Sequence, residues 1–221
     1  MTKIMHEDVD AYFEATLLEF DPALNAALEN SDASGLPQHA VSPLQGQFLQ
    51  ILVRATKASR ILEIGTLGGY STICMARALP KGGKLVTLEF DAICAQVATA
   101  NIAAAGLSGC VSVLQGAAIN SLTSMIEGGE APFDFIFIDA DKPSNPAYLE
   151  AVLKLSKPGT LIIGDNVVRD GAVTDTDSTD PKVQGVRTFL EAMRQNPNLL
   201  VTAMQTVGSK GHDGFSMALV V

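Results

Sequence analysis

The chain has 221 residues, of which 47% are hydrophobic and 18% charged, and its 24 Asp and Glu outweigh 15 Lys and Arg for a formal net charge of −9. That length suits one α/β domain with a substantial core, and an acidic chain with no basic run disfavours nucleic acid as a partner. Cys74, Cys94 and Cys110 show no metal-ligand spacing and stand in apolar stretches, so buried reduced thiols and a reducing, cytoplasmic compartment are expected, while Met1 to Asp10 lacks the apolar core of a secretory signal.

In chain order, Val9, Tyr12, Phe13, Leu17 and Phe20 recur at helical spacing, as do Leu44, Phe48, Ile51, Leu52 and Ala55. Asp21-Pro22, Ser42-Pro43, Asn145-Pro146 and Asp180-Pro181 each place a capping side chain before a proline suited to the first helical position. Ser42 with Gln45 also fits a capping box. Residues 1–59 therefore read as helices preceding a sheet.

From Arg60 the rhythm changes. Short β-rich runs at Ile61–Ile64, Leu85–Leu88, Val111–Leu114, Phe133–Ile138 and Thr160–Ile163 alternate with helical stretches, the pattern of parallel βαβ crossovers. Ala92 to Ile126 contains no charged side chain, yet Gln96, Asn101, Gln115 and three glycines interrupt it. A membrane-spanning helix needs ~20 nearly unbroken apolar residues, so helix, turn and buried strand is the better reading. The last two runs, Leu200–Val207 and Phe215–Val221, are joined only by Gly208 to Gly214, too short for a crossover, and should form an antiparallel hairpin. The fold class expected is α/β: a doubly wound, mostly parallel seven-stranded sheet with a C-terminal hairpin and N-terminal helices. Ligands of such a sheet bind at the carboxyl ends of its strands.

The first strand runs into Glu63-Ile64-Gly65-Thr66-Leu67-Gly68-Gly69-Tyr70-Ser71. Its glycines permit a sharp turn and close approach of a ligand to the backbone. The dinucleotide fingerprint would require glycine where Leu67 stands, which disfavours a nicotinamide-dependent oxidoreductase. Glu63 suits a cationic ligand better than a pyrophosphate. Glu89 ends the second strand, where an acid accepts hydrogen bonds from ribose hydroxyls, and Gly116-Ala117-Ala118 after the third leaves room for a flat base.

The fourth strand delivers Asp139-Ala140-Asp141-Lys142 and the fifth Asp165-Asn166. On neighbouring strands, Asp139, Asp165 and Asn166 would converge as hard oxygen ligands, suited to Mg²⁺, Mn²⁺ or Ca²⁺ rather than zinc. Lys142, at the mouth of the same cleft, is a candidate base. This set argues against a non-catalytic nucleoside-binding module.

Together these residues resemble the cation-dependent O-methyltransferases that include catechol O-methyltransferase and the caffeoyl-coenzyme A enzymes. The similarity runs from Val41-Ser42-Pro43 and Gln45-Gly46-Gln47-Phe48-Leu49 through Leu62-Glu63-Ile64-Gly65 to Gly211-His212-Asp213-Gly214-Phe215. Its most specific parts are Ile138-Asp139-Ala140-Asp141-Lys142 and Gly164-Asp165-Asn166. The resemblance implies a single methyltransferase domain over residues 1–221, with a Rossmann-like core over 60–221. It implies S-adenosylmethionine contacts at Val41, Glu63, Gly65, Ser71, Glu89, Ala118 and Asp141. It further implies metal ligation by Asp139, Asp165 and Asn166, Lys142 as catalytic base, and a homodimer.

The activity implied is divalent-cation-dependent methylation of a hydroxyl on a small catechol-like aromatic; some relatives instead methylate a hydroxylated tRNA base. Three departures bear on the acceptor. Asn145 stands where many relatives carry Tyr, although Tyr148 keeps a second tyrosine position. Asp170 stands where the plant enzymes place Asn. The segment 169–180 has no aromatic and carries four aspartates, which argues against aromatic stacking there and against the phosphates of a coenzyme A thioester.

Overall fold

A computed structural model describes residues 5–221; the part of the amino-terminal reading that concerns residues 1–4 lies outside them. Three helices come first: α1 (His6–Leu17), α2 (Pro22–Ala33) and α3 (Pro43–Ala55). The alternating part follows as β1 (Arg60–Ile64), α4 (Tyr70–Ala76), β2 (Lys84–Glu89), α5 (Ala92–Ala104), β3 (Val111–Gln115), α6 (Ala118–Glu127) and β4 (Phe135–Ile138). A 3₁₀ turn over Lys142–Ser144 leads into α7 (Asn145–Lys154), then β5 (Leu161–Asp165), α8 (Pro181–Gln195), β6 (Leu199–Gly208) and β7 (Gly211–Val220).

The strand order is β3-β2-β1-β4-β5-β7-β6. β1 to β5 pair in parallel, and β7 runs antiparallel to both β5 and β6. This is the doubly wound sheet ending in a hairpin that the sequence predicts. Strand β4 shows why buried parallel strands read as unbroken apolar runs: Phe135 and Phe137 join the core on one face, Ile136 and Ile138 that on the other. The first face is covered by α3, α4 and α5 residues such as Val53, Ile73 and Ile102; the second by α7 and α8 residues such as Leu149, Val186 and Phe189.

Three of the four expected caps form. Asp21, Ser42 and Asp180 each accept hydrogen bonds from first-turn amides, ahead of a proline. Asn145 does not cap. The preceding 3₁₀ turn makes it the first residue of α7, where it is fully buried and its amide has no hydrogen-bond partner. The capping box at Ser42 is half closed: the Gln45 amide N–H reaches Ser42 Oγ, but its side chain turns elsewhere.

The hairpin turn is also tighter than expected. Gly211 to Gly214 belong to β7, with Gly208 opposite Gly211 and Gln205 opposite Gly214, leaving only Ser209 and Lys210 in the turn. The glycines that look like a loop are strand residues; a Cβ at Gly214 would collide with the Met204 carbonyl. Cys74 and Cys94 are buried as expected, whereas Cys110 is only half-buried; all three thiols are free. Among the described residues no helix is long and apolar enough to cross a membrane.

Candidate active site

A cavity of about 1120 Å³ opens at the carboxyl ends of β1, β2, β4 and β5. This is where the strand order reverses between β1 and β4 and a doubly wound sheet leaves a crevice. One wall is the loop after β1. Gly65 is left-handed (φ +99°), and any side chain there would strike the Asp139 carbonyl, so glycine lets the loop cross directly over the end of β4. Leu67 (φ +50°) and, after β5, Asn166 (φ +54°) are also left-handed.

Glu89 holds that loop. One carboxylate oxygen accepts the N–H groups of Thr66 and Leu67 at 3.0 and 2.8 Å, and the other accepts that of Asp91 at 2.8 Å. Beneath the loop, Glu63 is fully buried and accepts hydrogen bonds from the hydroxyls of Ser71, at 2.5 Å, and Thr72. Burial drives its carboxyl up to about 7 from an ordinary 4.5, against the downward pull of those hydroxyls. Of the seven residues implied for cofactor contact, Val41, Gly65, Ser71, Glu89, Ala118 and Asp141 line the cavity, while Glu63 lies behind the wall. Asp141 accepts a 2.6 Å hydrogen bond from the Tyr148 hydroxyl. Burial, then the hydrogen bond to Asp141 and the charge of that carboxylate, raise the Tyr148 phenol above its usual range.

The ends of β4 and β5 bring Asp139, Lys142, Asp165 and Asn166 together, all lining the cavity. Lys142 Nζ sits 2.9 Å from Asp139 Oδ1 in a pair whose lysine side chain is only 7% exposed. The turn carrying Lys142 is pressed against α8 at Gly185, where a side chain would collide with the Lys142 carbonyl. Asp165 is buried; its Oδ1 accepts the Asn166 N–H at 2.8 Å and its Oδ2 accepts Gln45 Nε2 at 2.7 Å. Burial, reinforced by the charge of Asp139, holds the Asp165 carboxyl well above the ordinary carboxylate range.

The donor set fits a hard divalent cation. Asp165, whose ionisation is opposed by burial and by the charge of Asp139, would be relieved by a +2 charge held together with Asp139 and the Asn166 amide. Among the described residues no cluster of three or more His, Cys, Asp and Glu offers a different metal centre.

Sequence reasoning missed Gln45, Arg169, Lys182 and Lys210, which also line the cavity. Gln45 did carry a signal, but the local one of a capping box. Its bond to Asp165 spans 120 positions, beyond any local pattern.

Residues 19–218 match the model of a family described as O-methyltransferase. A catechol O-methyltransferase from Niastella koreensis is 49% identical over 220 residues, covering 100% of both chains. Among solved structures, an O-methyltransferase from Bacillus cereus in complex with SAH is 53% identical, covers 98% of each chain and superposes with a TM-score of 0.97. The O-methyltransferase TomG from Streptomyces achromogenes, involved in tomaymycin synthesis and solved in complex with SAM, is 46% identical. It covers 98% of this chain and 97% of its own, with a TM-score of 0.94. With that match over most of its length and the cleft described above, this chain belongs to the O-methyltransferase family, as an S-adenosylmethionine-dependent enzyme.

Proposed function

We propose that this enzyme transfers a methyl group from S-adenosylmethionine to one hydroxyl of a small catechol-like aromatic, with a divalent cation held by Asp139, Asp165 and Asn166. The observation that carries this reading is the convergence of those three residues and Lys142 on one cavity at the ends of β4 and β5. In it, Val41, Gly65, Ser71, Glu89, Ala118 and Asp141 contact the cofactor, and Glu63 supports the loop from behind.

A methyl sulfonium is already a strong electrophile, so the protein's task is to align and ionise the acceptor. A phenol has a pKa near ~10 and is mostly protonated at neutral pH. When bound, Mg²⁺ or Mn²⁺ would act as a Lewis acid that favours the ionised hydroxyl. In its neutral amine form Lys142 takes the hydroxyl proton at Nζ, and Asp139 Oδ1, 2.9 Å away, stabilises the ammonium that results. The acceptor oxygen then bonds to the methyl carbon as the sulfur–carbon bond breaks, with alignment by the two rigid walls supplying much of the rate.

The chain acts in this reading as one domain over residues 1–221, in the cytoplasm, where its three free thiols remain reduced. A homodimer is part of the proposal. Helix α1 buries none of its side chains and shows Tyr12, Phe13 and Leu17 to solvent, and it packs beside β6, which shows Leu200, Met204 and Val207. An exposed apolar face of this kind marks an interface. Sedimentation at the mass of a single chain would count against it.

Cation removal is the direct test of the chemistry. Chelation should abolish methyl transfer to catechol while leaving calorimetric affinity for S-adenosylmethionine largely intact, and Mg²⁺ or Mn²⁺ should restore turnover. Full turnover in excess EDTA after exhaustive dialysis would defeat the proposal.

A further inference from the structure

The buried face of α5 is Cys94, Ala95, Val97, Ala98 and Ile102, an apolar set interrupted by Asn101. Asn101 is 5% exposed, and a primary amide is kept at such depth where its hydrogen-bonding groups find partners. Its partners lie on two other elements. Nδ2 donates to the Gly68 carbonyl at 2.8 Å and to the Ala27 carbonyl at 3.2 Å, while Oδ1 accepts Asn30 Nδ2 at 2.7 Å. Both hydrogens of the amide are therefore used. Two carbonyls can only accept, so the orientation of the amide is fixed and a carboxylate could not take its place.

Both elements so joined belong to the cavity. Gly68 lines it from the loop after β1, and α2, which carries Ala27 and Asn30, lines it through Leu28, Ser31 and Asp32. Asn101 stands behind them, off the cavity wall.

Helix α2 has little else to hold it. Ala27 is its one buried residue, so apolar packing contributes little, and its first polar tie is the ion pair of Asp21 with Arg77 at the far end. Against the loop the fit is close. A side chain at Gly68 would strike Ser31 Oγ, and one at left-handed Gly69 would rest on Ala98 of α5. The Asn101 amide is the polar bond across this three-element contact. Glu89 fixes the N–H groups of Thr66 and Leu67 from the end of β2, and Asn101 fixes the carbonyl of the next residue from α5.

We propose that Asn101 is a positioning residue for the cofactor. It locks α2 and the loop after β1 into one wall, and so sets the affinity for S-adenosylmethionine without touching it. This rests on the reading that seats the cofactor against that loop. Ordering the wall in advance leaves less to be ordered at binding, which raises affinity without a new contact.

Calorimetric titration with S-adenosylmethionine, at a temperature where each variant is folded, tests it. Asn101→Leu removes the amide and should weaken binding by about tenfold. Asn101→Asp should weaken it at least as much, since a carboxylate would face two carbonyl oxygens; agreement between the two separates lost donors from added charge. Asn30→Ala, at an exposed position, removes one of the three bonds and should weaken binding by about threefold. In assays with catechol and Mg²⁺, the KM for S-adenosylmethionine should rise in parallel. The kcat at saturating cofactor and the KM for catechol should stay within about twofold, the split expected when binding alone is lost. Lower thermal stability with unchanged cofactor affinity would assign Asn101 to folding and overturn the inference. So would a fall in kcat and a rise in catechol KM as large as the change in cofactor affinity. If the Asn101 variants do not fold, Asn30→Ala decides: unchanged affinity there overturns the inference. Glu89→Ala serves as the control. Weaker binding in Glu89→Ala with wild-type affinity in the Asn101 and Asn30 variants defeats this inference alone, whereas wild-type affinity in all of them defeats the placement of the cofactor.

Discussion

Around the loop after β1, the polar groups are largely satisfied within the chain, whereas around Asp139, Asp165 and Arg169 charge is left only partly balanced. Glu89 takes three backbone N–H groups and Glu63 takes two hydroxyls, so this loop is organised before anything binds. At the ends of β4 and β5, Asp139 is paired with the buried Lys142, the Asp165 carboxyl is raised by burial and the charge of Asp139, and Arg169 Nε has no partner. A wall that must bind one invariant molecule gains from being preorganised, since less ordering remains at binding. A wall that must ionise an acceptor needs charge whose balance changes when ligands arrive.

The largest expected effect tests the unbalanced wall. Lys142→Met should depress kcat at the lower end of the ~10²–10⁴-fold range typical of a general base, because cation-assisted ionisation makes a base partly redundant. Affinity for S-adenosylmethionine should be spared. The mutant should gain rate as pH rises, and acceptors of lower phenolic pKa should suffer less. Unchanged kcat with an unchanged pH profile would leave Lys142 as the structural partner of Asp139.

On the satisfied wall, Glu89→Ala should weaken S-adenosylmethionine binding by roughly 1.5–3 kcal/mol, the scale of hydrogen bonds to a charged group. The structure adds a second route to that loss, since the amides of Thr66, Leu67 and Asp91 are released together. Glu89→Gln, which retains one acceptor oxygen, should fall between. Calorimetric affinity equal to wild type in both variants would remove Glu89 from the cofactor wall.

Glu63 offers a test of the same wall that needs no ligand. Its carboxyl is raised from 4.5 to about 7 by burial, so the folded protein holds this proton more tightly than the unfolded chain. The resulting stabilisation is complete below about pH 4.5 and is lost as pH rises through about 7. Between about pH 5 and pH 7 the loss should be about 2 kcal/mol. Chemical denaturation at several pH values should show that slope in wild type and a flatter one in Glu63→Gln. Identical slopes would mean that Glu63 remains ionised in its pocket.

How legible each wall was from sequence follows from the range of its interactions. The strand ends carrying Glu89, Asp139 and Asp165 were readable because apolar runs mark strands and the fold fixes which ends face the ligand. Proline-adjacent caps at Asp21, Ser42 and Asp180 were readable because capping is local. What stayed hidden depended on distant partners. The glycines of β7 looked like a loop until their partners on β6 were known, and the cations at the mouth come from three separate segments. Asp170, Asp175, Asp177 and Asp180 follow Asn166 closely in sequence, yet none of them lines the cavity.

Gln45 gives the smallest expected effect and joins the two walls' logics, a neutral and fully local-looking residue serving the charged side. In a closed capping box its side chain would return to the Ser42 N–H. Instead Nε2 donates to Asp165 Oδ2 at 2.7 Å, while Asn166 N–H fixes Oδ1 at 2.8 Å, so both oxygens of the carboxylate are oriented. Partners that orient a metal-binding carboxylate commonly contribute 10–100-fold in affinity. The Asn166 bond survives mutation, so Gln45→Ala should weaken Mn²⁺ binding by only about tenfold. Electron paramagnetic resonance of free Mn²⁺ would measure that without turnover. The activation constant for Mg²⁺ should rise in parallel, while kcat at saturating cation changes little. Because Ser42 Oγ still caps α3, thermal stability should move much less than cation affinity. Loss of stability with unchanged Mn²⁺ affinity would assign Gln45 to helix packing, and the orientation of Asp165 would then rest on Asn166 alone.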